Sequence, residues 1–189
     1  MSTTENLETH FKPHILKCRP GDWEHARRVV FWIKELANNR TDLNLLIIAG
    51  YIHDIGWSGL IPQGSKLSRE ELLNLQPKAN KQTDVLVKSV LSNFSLTVSE
   101  INKILRLVKA TETYEATQED EMILVDADNL SKTSPDHIKE KYVKSDWLSI
   151  CDLFEKKLPQ RIKTERGKQL FPIKLAELRK TLETELKSK

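Results

Sequence analysis

Residues 43–52, LNLLIIAGYI, are apolar on nearly every side and run directly into His53-Asp54. A helix that is apolar all round has no solvent face, so the chain must wrap other elements around it. The same helix then carries two ionisable side chains toward the interior, where a charge without a partner is costly. A metal ion answers that need. A neutral imidazole beside a carboxylate suits a divalent first-row transition ion.

The remaining chain reads as further helices, with no alternating strand and no hairpin signal. Trp23–Ala37 places Ala26, Val29, Val30, Ile33, Leu36 and Ala37 on one stripe, with Asp22 as its natural N-cap. Residues 38–42 break that helix before the central one begins. Gly56 to Ser68 is predicted as a loop, punctuated by Gly56, Gly59, Pro62 and Gly64. A helix starting at Ser68 should stop at Pro77. Others are predicted over Asn80–Ser92, Val98–Ala110, Gln118–Leu130, Pro135–Lys157 and Lys168–Leu186. Ser134-Pro135-Asp136 opens the fourth of these, because proline is favoured in a first turn. Gly167 should precede the last helix, and Pro172 should fall in its first turn or just before a shifted start. A chain of 189 residues is one domain by size and long enough for a real core.

Composition narrows the function classes. No apolar run approaches the roughly 20 residues of a membrane span. The N-terminus lacks a basic region followed by an apolar stretch, so a secretory leader is not expected. Cys18 and Cys151 are far apart without a CxxC pattern, and a reducing cytoplasm is the default. Net charge is +3 but uneven: Lys156–Lys189 carries 11 Lys/Arg against 4 Asp/Glu. Such a tail can attract nucleic acid or an acidic partner. The spacing of Leu170, Ile173, Leu175, Leu178, Leu182 and Leu186 reads instead as an amphipathic helix laid on the domain.

Two other segments carry candidate ligands. His25, in DWEHARRVV, lies one position before Ala26 and so at the edge of the apolar stripe, a sensible place at a cavity wall. Asp126 lies in ILVDADNL. Taken singly, neither specifies a metal. Their order does, together with their neighbours: H-x-x-R-V around His25, A-x-x-x-H-D-I-G around His53, and D-A-D-x-L around Asp126.

This arrangement, over roughly Asp22 to Leu130, resembles the HD-domain metal-dependent phosphohydrolase superfamily. The resemblance implies an all-α, single-domain helical bundle spanning residues 1–189, with a motif-bearing core at about 22–130 and C-terminal helices at about 135–187 packed on it. It implies one divalent metal ion held by His25, His53, Asp54 and Asp126. A set of two imidazoles and two carboxylates favours Mn, Fe, Co, Ni or Zn over Mg and leaves open positions for chemistry. The implied activity is hydrolysis of a phosphoester, mono- or diester, of a small phosphorylated metabolite, a nucleotide foremost, by a metal-activated water. The alternative is a metal- or nucleotide-binding regulatory module with little catalysis.

The sequence departs from the larger two-metal members of that superfamily. Their additional histidines would fall near Asn80 and Ala110-Thr111, and neither region has one. No Gly-Tyr-Pro signature follows HDIG, and Trp57-Ser58 occupies the places of an HDxxED pattern. The general acid or base is therefore open, with Glu112 and Asp128 as candidates. Arg28, one turn from His25, is the candidate phosphate ligand, and Trp57 a candidate pocket wall. His10, His14 and His137 read as ordinary residues.

Overall fold

The computed structural model describes residues 3–62, 65 and 68–188. The described residues form helices without a strand: α1 (Thr3–Ile15), α2 (Asp22–Leu36), α3 (Leu43–Ile52), α4 (Arg69–Leu91), α5 (Val98–Thr113), α6 (Glu119–Ser131), α7 (Pro135–Lys141), α8 (Trp147–Lys157) and α9 (Glu165–Lys187). Single 3-10 turns occupy Ile55–Trp57, Lys144–Asp146 and Pro159–Arg161. No described helix is long and apolar enough to cross a membrane.

α3 sits where its composition demands, with Leu46 to Ile52 buried and helices α1, α2, α5 and α6 packed around it. Its approach to α2 depends on Gly50. A Cβ there would lie 2.5 Å from Ile33 Cδ1 and 3.3 Å from Val30 Cγ2, so a larger residue would push the helices apart. α1 was not foreseen, although Leu7, Phe11 and Ile15 recur at helical spacing and all three are buried. Phe11 stacks between Tyr51 and Phe94, at 5.9 and 5.3 Å.

Several boundaries differ from expectation. Asp22 is the first residue of α2 and not its cap; Gly21 takes that place with φ 76°. α4 runs straight through Pro77, and α9 through Pro172. Both prolines lie on the solvent side, and buried or half-buried positions continue before and after them. Packing therefore offsets the lost backbone bond. The predicted helix Pro135–Lys157 is broken, because Tyr142 and Val143 take extended backbone. At 100° per residue a straight helix would put Ile138 and Trp147 on opposite sides. The break lets both face the core. In the predicted loop, residues 55–57 form a 3-10 turn, and Gly64 lies outside the described residues.

α9 packs on α6, α7 and α8 through Phe171, Leu175, Leu178 and Leu182. Ile173 is the exception to the predicted stripe, at 56% exposure. The helix begins earlier than Lys168. Thr164 caps it by accepting from Gly167 N at 2.9 Å, so Gly167 lies in the first turn and not before the helix. A Cβ on Gly167 would fall 2.2 Å from Asp126 Oδ2. Gly167→Ala should therefore destabilise the protein by about 1–3 kcal/mol, read as a lower urea midpoint at unchanged m-value, with metal content unaffected.

Candidate metal centre

Three helices meet at one polar point. α2 supplies His25, on the side facing α6. α3 ends at His53, and the chain turns there, so Asp54 follows on irregular backbone rather than a turn further along a helix. α6 supplies Asp128. The Nε2 atoms of His25 and His53 lie 3.2 Å apart. Asp54 Oδ2 is 3.7 Å from the first and 3.4 Å from the second. Asp128 Oδ1 is 3.1 and 3.7 Å from the same two atoms. Ligand atoms of His25, His53 and Asp54 all lie within 4.8 Å of one another.

The hydrogen-bond partners assign the tautomers. His53 Nδ1 lies 2.9 Å from the carbonyl of Gly50, which can only accept, so Nδ1 carries the proton. His25 Nδ1 lies 2.9 Å from Ser131 Oγ, whose own hydrogen is given to the Asp128 carbonyl at 2.7 Å. Ser131 Oγ therefore accepts from His25 Nδ1. Both Nε2 atoms are left as lone pairs facing each other and two carboxylate oxygens. Four acceptors converge with no proton among them. This donor set fits a divalent cation, and each imidazole has the outer partner that a metal-bound histidine needs.

Electrostatics agree. Burial, reinforced by His53 and only partly opposed by Asp128, pushes the His25 pKa down to about 4, so it is neutral near pH 7. Burial would raise Asp54, but the Arg19 guanidinium beside it holds it below the usual carboxylate range. Asp128 is likewise held down against burial, chiefly by Lys132. Lys132 Nζ contacts the other oxygen of Asp128 at 2.6 Å.

Around this point lies a cavity of about 540 Å³. Arg19 bonds Asp54 through its guanidinium, which also sits 4.4 Å above the Trp57 ring. The fully buried Asp22 accepts from Arg19 Nε at 3.0 Å, from Arg19 N at 2.8 Å, and from Lys141 Nζ. Asp22 thus positions two cations beside the cluster instead of capping its helix. Leu72, Ile61, Tyr142 and Phe154 add apolar wall to the same cavity.

The structure brings together His25, His53 and Asp54 as expected, but it places Asp126 elsewhere. The Asp126 carboxylate accepts from the backbone N–H groups of Lys163 and Thr164, at 2.7 and 2.8 Å, and from Thr164 Oγ1 at 2.6 Å. It ties α6 to the start of α9. Residues two apart on a helix point about 200° apart, so only one of Asp126 and Asp128 can face the histidines. Arg28 does not line the cavity; it is paired with Glu140 at 2.7 Å. Trp57 does line it, as does Glu112, which accepts from Thr83 Oγ1 at 2.6 Å and Lys109 Nζ at 2.7 Å. His137 is not an ordinary surface residue. It is buried, its ring centroid is 5.1 Å from that of His25, and its Nδ1 has no partner. Arg19 and Lys141 were missed because their roles depend on Asp22 folding back. Lys132 was legible, one helical turn after Asp128.

Residues 22–133 match the HD domain family, and the chain belongs to it. Neither a curated protein nor a solved structure matches the chain. The family is one of metal-dependent hydrolases, and the His-His-Asp cluster is suited to a metal.

Two measurements follow. Asp126→Ala should cost about 2–4 kcal/mol in urea unfolding while metal content per folded chain is retained; Asp128→Ala should lose the metal. The metal-free protein should also weaken in mild acid. His25 titrates near 4 in the folded state, and burial holds His137 well below 6.5. Both histidines bind protons in the unfolded chain first. Stability is therefore full above about pH 6.5 and falls as pH drops toward 4, by up to about 1.4 kcal/mol per pH unit for each. Urea titrations in chelator at several pH values should show this slope, and His137→Gln should reduce it.

Proposed function

We propose that this protein is a metal-dependent phosphohydrolase that cleaves a phosphoester of a small metabolite, a nucleotide foremost. One divalent ion is held by His25, His53, Asp54 and Asp128, with Mn, Fe, Co, Ni or Zn preferred to Mg because half the donors are imidazole. The observation that carries this reading is the convergence of four proton-free acceptors on the floor of a cavity whose walls carry cations. Bound there, such an ion supplies an acidified water near neutral pH and polarisation of a phosphoryl oxygen.

The chain's own groups do the rest. Arg19, anchored by Asp22 and by Trp57, offers a planar fork to phosphate oxygens. Lys141 and Lys132 also line the cavity and offset charge on the phosphoryl group. Glu112, held as a carboxylate by Thr83 and Lys109 on the cavity wall, is available there as a proton acceptor. The apolar wall receives the organic part of the substrate and keeps bulk water away.

The test is turnover of a phosphoester panel by purified protein with added Mn, Co, Ni or Mg, against a chelated control. Metal-dependent phosphate release is expected, with one equivalent of metal per chain by elemental analysis. Asp54→Asn should keep the helical circular dichroism and lose at least about 100-fold in turnover. Metal bound without turnover of any ester would leave a regulatory binding module instead.

A further inference from the structure

The cations lining the cavity are of two kinds. Arg19, Lys132 and Lys141 each have a carboxylate partner: Asp22 and Asp54, Asp128, and Asp22 respectively. Arg161 and Lys157 have none among the described residues, yet both line the same cavity. They lie four residues apart, at the end of α8 and in the turn that follows. Neither belongs to the family-matched segment, which ends at residue 133.

Arg161 is not loose. Its guanidinium carbon lies 3.7 Å from the centroid of the Tyr114 ring. Tyr114 is itself held in an unusual way. It closes α5 in the left-handed region, at φ 58°, which costs a non-glycine residue about 1–2 kcal/mol. That turn aims its ring into the cavity, where Lys132 Nζ also lies 5.4 Å from the centroid. Since Arg161 already covers one face of the ring, Tyr114 is poorly suited to stack a base. It is better suited to fix the plane of a guanidinium whose N–H donors have no acceptor among the described residues. Lys132 links this place to the metal cluster, since it touches both Tyr114 and Asp128.

We propose that Arg161, set on Tyr114 and assisted by Lys157, forms a second anion subsite, and that the substrate is a small phosphoester carrying a second phosphate. For the first phosphate this rests on the phosphohydrolase reading; the second phosphate is bound and not cleaved. An arginine with a fixed plane and free donors matches a phosphate in two parallel hydrogen bonds. Lys157, exposed at the mouth, adds a point charge.

The test compares paired ligands on purified protein with its metal: adenosine 5′-monophosphate against adenosine 3′,5′-bisphosphate, and fructose 6-phosphate against fructose 1,6-bisphosphate. Binding is read by calorimetry, and phosphate release is followed in parallel. In at least one pair the bisphosphate should bind about tenfold tighter or more. Arg161→Met, which keeps an apolar stem on Tyr114, should abolish that preference without changing binding of the monophosphate, and Lys157→Ala should reduce it. Thermal melts establish that both variants fold, and Lys157 is exposed, so its variant remains informative if Arg161→Met does not fold. Equal binding within both pairs, or a preference that neither variant alters, overturns the proposal even if every ligand is hydrolysed. An Arg161-dependent preference without phosphate release supports the subsite and counts against the hydrolase reading.

Discussion

Four acceptor atoms share one buried space with no proton between them, and the surrounding structure is arranged to keep them there. Each imidazole is oriented by a partner on the far side of its ring, Gly50 O for His53 and Ser131 Oγ for His25. Gly50 belongs to the helix that ends at His53, so that tautomer is set locally, whereas Ser131 lies on α6, so the His25 tautomer depends on how α2 and α6 cross. An unpaired buried charge or an uncompensated lone-pair cluster is expensive. The expense is offset only because Arg19 and Lys132 reach the two carboxylates from outside. Helix packing and site electrostatics are therefore one problem here, solved together where α2, α3 and α6 meet.

Around that point two neighbouring aspartates have different roles. Asp128 turns toward the histidines. Asp126 turns away and fastens the start of α9, in a space that stays open because residue 167 has no side chain. Burial raises the Asp126 pKa, and its hydrogen bonds to Thr164 and Lys163 offset this only in part. Its carboxylate is committed to the start of α9. Asp22 does something comparable at the start of α2, where its burial allows it to position Arg19 and Lys141 together.

The C-terminal segment beyond the family match is more than a cover. α7 brings His137, Glu140 and Lys141 to the cavity, and the end of α8 with its following turn brings Phe154, Lys157 and Arg161. The floor with the His-His-Asp cluster thus comes from the part of the chain shared with the family, while much of the wall comes from the part that is not. Substrate choice is a property of walls, since it depends on shape and on charges away from the reacting centre.

Much of this was legible in the residues themselves. The apolar run at 43–52 required a central helix, and an ionisable pair at its end required a compensating partner; local composition is enough for both. The order of His25, His53 and Asp54 and the all-α pattern were equally plain. Helix periodicity could not decide between Asp126 and Asp128, because α6 is buried on both sides and either aspartate faces the interior. Nor could it foresee that α4 and α9 pass through their prolines, or that the chain breaks after Lys141, since tertiary packing overrides local preference at all three places. The cations Arg19, Lys141 and Arg161 acquired their places from contacts with Asp22 and Tyr114. Sequence spacing describes neighbours along one helix. Which faces meet across helices, and hence which aspartate faces the histidines and which fastens α9, was decided by the tertiary structure.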